Sequence, residues 1–192
     1  MSGTTAADYV WFNEQYGDTL AVSGFCVTFV KDLTPVEALN QIGVVIEEGA
    51  DPDDIDGFDE YPIVASAAAG GTILVEQGGY SCSLDDVANR LSRGTVTATV
   101  FRNVNFDQAF IQSENGSVVL TFDSDMPYDR SCHSDRMLSH MRDLGMPLEE
   151  SDAPDPNYIL TAFALAERAT GVRLLPAHID KPTLLGTTEH LC

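Results

Sequence analysis

Positive charge is what this chain has least of. Ten Lys and Arg residues stand against 30 Asp and Glu in 192 residues, a formal net charge of −20. Such a balance disfavours any extended face that neutralises nucleic-acid phosphates, and it disfavours adsorption to an anionic bilayer. Apolar runs are short: none approaches the roughly 20 residues a spanning helix needs. The opening stretch MSGTTAADYVWFNEQ has neither the basic nor the apolar region of a secretion signal. A cytoplasmic protein is the expectation.

Catalytic signatures are missing too. There is no G-x-S-x-G elbow, and Gly70-Gly71 and Gly78-Gly79 lack a P-loop or dinucleotide-binding context. The four cysteines, Cys26, Cys82, Cys132 and Cys192, are widely spaced, contain no C-x-x-C and need not be paired. Cys26 reads as a small core residue. Cys82, just before a predicted helix start, is either inert or lowered in pKa by the helix N-terminus. Cys132, His133, His140, His190 and Cys192 invite a metal reading, yet His133 to His140 misses the H-x₃₋₅-H spacing of zinc sites. Neither a metal nor a cofactor is expected.

What is present is a well-punctuated pattern of elements. A helix is predicted over Ala6 to Tyr16, then one strand or two around Gly24 in TLAVSGFCVTFV. Thr34, Pro35 and Glu37 spell a capping box for a helix stopped by Gly43. YPIVASA and GTILVEQ read as strands joined at Gly70-Gly71, and SLDDVANRLSRG as a helix capped by Ser83. Thr95 to Arg102 alternates as a strand. Phe106 to Ser113 and Ser117 to Asp123 form a hairpin around Asn115-Gly116. Two helices follow, the first capped by Ser134 and the second by Asp155, and then a tail predicted to be extended.

The fold class expected is α+β: an antiparallel sheet whose Thr19–Arg102 run has the split β-α-β-β-α-β order of ferredoxin-like folds, extended by a hairpin and two C-terminal helices. A single domain spans residues 1–192, with an N-terminal helix in 1–18, the sheet core in 19–123 and a helical layer and tail in 134–192.

The stretch EEGADPDDIDGFDE packs eight acids between Glu47 and Glu60. No register fits a calcium loop: beginning at Asp51 puts Ile55 at the fifth position and Pro62 at the twelfth, and setting Gly57 at the sixth begins on Pro52. An exposed acidic loop is expected. At the other extreme, Arg90, Arg93, Arg102, Arg130, Arg136 and Arg142 concentrate most of the few cations, as a local anion- or partner-binding spot or as neutralisers of nearby acids. Arg168 and Arg173 suit the end of the last helix.

The segments TILVEQGGYSCSLDDVANRLSRGTVTATVFRNVNFDQAFIQSENGSVVLTFD and ILTAFALAERATGV together resemble an actinobacterial family catalogued only as a domain of unknown function. The likeness covers most of residues 25–180. It departs at EEGADPDDIDGFDE, shorter and more acidic than the family pattern, and at Tyr80, where Trp is expected. It implies an actinobacterial, cytosolic origin and supplies no catalytic residue.

These readings converge on a non-enzymatic acidic protein that binds a macromolecular partner of basic character, as an inhibitor, immunity or regulatory module. The acids Asp51, Asp53, Asp54, Asp56, Asp59 and Glu60 are the candidate partner contacts. The alternative is a small-ligand-binding protein or enzyme with a pocket over the central sheet, lined by Arg93, Arg102, Asn103 and Asn105.

Overall fold

A computed structural model describes residues 3–47, 62–123, 135–149, 153 and 155–191. The strands are β1 (Phe25–Lys31), β2 (Pro62–Ala68), β3 (Gly71–Gln77), β4 (Val96–Arg102), β5 (Gln108–Glu114), β6 (Ser117–Asp123) and β7 (Leu184–Thr187). They form one seven-stranded sheet in the order β6-β5-β4-β1-β3-β2-β7, and every neighbouring pair is antiparallel. The expected α+β class and antiparallel sheet are thus present.

The helices among the described residues are α1 (Val10–Tyr16), α2 (Leu20–Ser23), α3 (Pro35–Ile42), α4 (Asp85–Leu91), α5 (Asp135–Asp143), α6 (Tyr158–Thr170) and α7 (Pro176–Asp180). Two-residue periodicity sends alternate side chains of each strand to opposite faces. Phe25, Val27 and Phe29 of β1, Ile73 and Val75 of β3 and Ala98 and Val100 of β4 join a core with α1, α5 and α6. Cys26 and Val30, Leu74, and Ile63 and Ala65 face the other way, against Leu39 and Ile42 of α3 and Val87 and Leu91 of α4. Both faces are covered, so the polar side of β4 that alternation predicts is buried as well: Thr97 and Thr99 are each 2% exposed.

Helix α6 forms the centre of the larger core. Its Phe163 ring lies 4.9 Å from Phe12, 5.5 Å from Tyr9 and about 6 Å from Phe25 and Phe29. Offset and edge-on aromatic pairs of this kind each add about 1 kcal/mol beyond burial.

Local signals were read well where they close within a few residues. Thr34 Oγ1 accepts from the Glu37 N–H while Glu37 Oε2 accepts from the Thr34 N–H at 2.8 Å, and Gly43 stops α3 at φ 81°. Asn115 and Gly116, at φ 50° and 86°, make the predicted hairpin turn.

Four expectations need correction. The residues before Gly24 are the single turn α2 and not strand, because β3 and β4 end opposite Phe25 and leave a longer strand nothing to pair with. Ser83 does not cap α4; it closes a 3-10 turn (Ser81–Ser83), its hydroxyl donates to the Tyr80 carbonyl, and Leu84 takes the cap position. Helix α6 begins at Tyr158 after Asn157, while Asp155 turns the chain ahead of it by accepting the Asn157 N–H. The tail is not simply extended: it folds into α7, and β7 then adds a strand along β2. Ser134 lies outside the described residues.

Candidate functional site

Acid is absent from several stretches of the chain, among them Thr19–Lys31, Gln77–Leu84 and Leu91–Phe106. The strand register brings their ends together. Phe25 pairs with Gln77 on one side and with Arg102 on the other, and Arg102 pairs with Gln108. This end of the sheet is therefore built from α2 and Gly24, the turn Gly78–Tyr80, and the loop Asn103–Asp107 between β4 and β5. Gly24, at φ 87°, lets the loop approach closely: a Cβ there would lie 2.9 Å from the Arg102 carbonyl oxygen. Its own carbonyl accepts from the Gly78 N–H at 2.9 Å.

The loop is rigidly wired. Asn103 Oδ1 accepts from the backbone N–H groups of Asn105 and Asp107, both at 2.9 Å, and Asn103 Nδ2 donates to Asp107 Oδ2 at 2.7 Å. Two backbone bonds between Asn103 and Phe106 or Asp107 close it further. Within this frame Phe106 is held at φ 68°, a left-handed conformation that costs a bulky side chain about 1–2 kcal/mol. The strain does not bury the ring. Phe106 is 50% exposed and Val104 61%, while Val22 and Tyr80 at the same end are also exposed.

Arg102 lies over the Phe106 ring, its guanidinium carbon 4.5 Å from the centroid. Its Nε is buried with no acceptor, and partial burial lowers its pKa below the usual value for arginine. No carboxylate among the described residues forms an ion pair with it, whereas Arg90 pairs with Asp86, Arg168 with Asp143, and Arg173 with both Asp8 and Glu167.

Behind Tyr80, a polar cluster is sealed between the sheet and the 3-10 turn. Glu76 is 1% exposed; its oxygens accept from the Ser81 N–H at 2.8 Å and the Cys82 N–H at 2.9 Å. Cys26 and Cys82 are free and buried beside the same carboxylate. Burial first, and then the Glu76 charge, push both thiols well above their ordinary pKa. A reactive, lowered Cys82 is thereby overturned: no full helix N-terminus faces it, and its surroundings disfavour a thiolate. Thr28 and Thr99 share a hydroxyl–hydroxyl bond of 2.9 Å nearby.

The residues singled out from the sequence fall in different places. Arg102, Asn103 and Asn105 meet in the sheet-end loop. Arg93 does not join them: it follows α4 at the opposite end of β4, roughly 20 Å away along the strand, where its carbonyl accepts from Gln41 Nε2. Asp51, Asp53, Asp54, Asp56, Asp59 and Glu60 lie outside the described residues, as do Arg130, Cys132, His133 and Cys192. Arg136 and Arg142 are exposed on α5. His140, also on α5, belongs to the α6 side of the sheet, whereas His190 sits near Gly43 at the end of α3 on the other. Among the described residues no group of three or more His, Cys, Asp or Glu is placed to hold a metal ion. Arg168 and Arg173 do more than suit a helix end, since they tie Thr4 and Asp8 of the N-terminal segment to α6 and the strand-like segment after it. The strand expected to start at Phe106 begins instead at Gln108 (β5), and Phe106 stays in the loop at φ 68°, because Asn103 bonds the loop N–H groups ahead of the strand.

No helix among the described residues is long and apolar enough to cross a membrane. No curated protein and no solved structure matches the chain. One family model does, over residues 2–185, and by that match the chain belongs to DUF6461, a family of unknown function.

Proposed function

We propose that this protein is a non-enzymatic binding module that docks on a protein partner through the Arg102–Phe106 end of its sheet. One observation carries the reading: an exposed aromatic, Phe106, is held in a costly backbone conformation by a fully bonded loop that buries nothing in return. Such pre-organisation reduces the ordering cost of association, and aromatic and arginine anchors at a patch centre dominate typical interface energetics. The remaining surface, with its large negative charge, steers a basic partner towards the protein over a distance of about a Debye length. An inhibitor, immunity or regulatory role in the cytoplasm of an actinobacterium fits this arrangement, and the free buried thiols suit a reducing compartment. We read the central strands, ordered β4-β1-β3-β2 with α3 and α4 on one face, as a ferredoxin-like unit widened at both edges. The small-ligand or enzymatic alternative has less support, because Arg93 and Arg102 stand at opposite ends of β4.

The test is a quantitative pull-down from native lysate with the wild-type chain, Val104→Asp and Phe106→Asp. The same captured protein should be lost from both variants while their thermal unfolding stays at the wild-type midpoint. Capture that survives both changes, or no specific capture at all, refutes the docking surface.

A further inference from the structure

We infer that Arg102 is the partner's carboxylate receptor: the docked protein places an Asp or Glu side chain, flanked by apolar residues, against the guanidinium edge beside Phe106 and Val104. This rests on the docking surface proposed above and names the chemistry that surface selects. Arg102 has a buried Nε without an acceptor and no ion pair among the described residues. Its loop neighbours are bonded to one another instead: the side-chain amide of Asn103 joins Asn105 and Asp107, and Asp107 Oδ2 accepts from Asn103 Nδ2. The guanidinium carbon sits 4.5 Å from the Phe106 centroid, and a guanidinium offers paired donors that a carboxylate matches and a lysine cannot reproduce.

Charge discriminates between anions. A nucleic acid or other polyanion meets the whole −20 field of the chain, which one arginine does not offset. A single carboxylate within an otherwise neutral or basic partner adds one negative charge beside Arg102, where the loop itself carries one acid, Asp107, bonded to Asn103. There, exposed Phe106 and Val104 exclude water on docking and strengthen the contact.

The probe is a random-peptide library displayed on phage and selected on the intact chain. Enriched peptides are then synthesised and measured by fluorescence anisotropy against wild type, Arg102→Gln, Arg102→Lys and Phe106→Ala, each checked for an unchanged unfolding midpoint. Enriched sequences should share an Asp or Glu beside a bulky apolar residue. Converting that carboxylate to its carboxamide, or Arg102 to Gln, should weaken binding about ten- to hundredfold, and combining the two should cost no more than either alone. Arg102→Lys should recover only part of the loss. Peptides that lack an acid, or that bind Arg102→Gln as well as wild type while losing affinity for Phe106→Ala, overturn the carboxylate and leave the docking surface standing. If nothing enriched responds to Phe106→Ala or to Arg102→Gln, both are overturned.

Discussion

Glu76 should be the most sensitive polar position in the molecule. It carries a carboxylate to 1% exposure, held by two backbone N–H groups at 2.8 and 2.9 Å, with the buried thiols of Cys26 and Cys82 beside it. Gly79 completes the fit, since a Cβ there would lie 2.8 Å from Glu76 Cβ. Replacing Glu76 by Ala leaves the Ser81 and Cys82 N–H groups buried and unmatched, at about 1–3 kcal/mol each, so about 2–6 kcal/mol is lost. Glu76→Gln retains one acceptor oxygen and turns a donor group towards one of the two converging N–H groups, for about 1.5–3 kcal/mol. Urea unfolding followed by circular dichroism should rank wild type above Glu76→Gln above Glu76→Ala. Alkylation with mass-spectrometric mapping should find Cys26 and Cys82 protected in wild type and Cys82 labelled faster in both variants. A Glu76→Gln protein as stable as wild type, or more so, would refute the reasoning, because the buried charge would then be a net cost that its donors fail to offset.

Three further outcomes follow from the same geometry. Tyr9, Tyr16 and Tyr158 all have phenol pKa values raised by burial, and for Tyr9 and Tyr16 by the acceptors Glu167 and Asp180 as well. A raised folded pKa means stability is intact below the unfolded value of 10.0 and is lost as pH climbs beyond it, so urea midpoints should fall above about pH 10; a flat profile from pH 9 to 11.5 would contradict this. His178 Nδ1 accepts the Leu175 N–H at 3.1 Å, and burial lowers the pKa of its ring. Its contribution is therefore present above 6.5 and lost as pH falls through the lowered value, and His178→Ala should flatten that limb of the stability profile. Asn103→Ala removes the acceptor of two loop N–H groups and should cost about 1 kcal/mol; unchanged amide exchange at Asn105 and Asp107 would show that the side chain does not hold the loop.

Legibility tracked sequence distance. The Thr34–Glu37 box, the Asn115-Gly116 turn and the alternation of Val96 to Arg102 are decided by neighbours a few residues apart, so the chain announces them. Leu20–Ser23 was misread as strand because its β-branched and apolar composition suits either state, and only the ends of β3 and β4 forbid pairing there. The strand β7 was missed because its four residues carry no pattern of their own; β2, more than a hundred residues earlier, supplies the partner.

By itself the sequence determined the class of the fold, the Thr34–Glu37 cap, the Asn115-Gly116 turn and the scarcity of cations, since each follows from composition or short-range geometry. Tertiary structure alone decided that Arg93 and Arg102 stand apart and that Glu76, Cys26 and Cys82 share one buried site. It also decided that three acid-free segments meet where Phe106 is exposed. Antiparallel register and strand length set those meetings, and both depend on pairing between residues far apart in the chain.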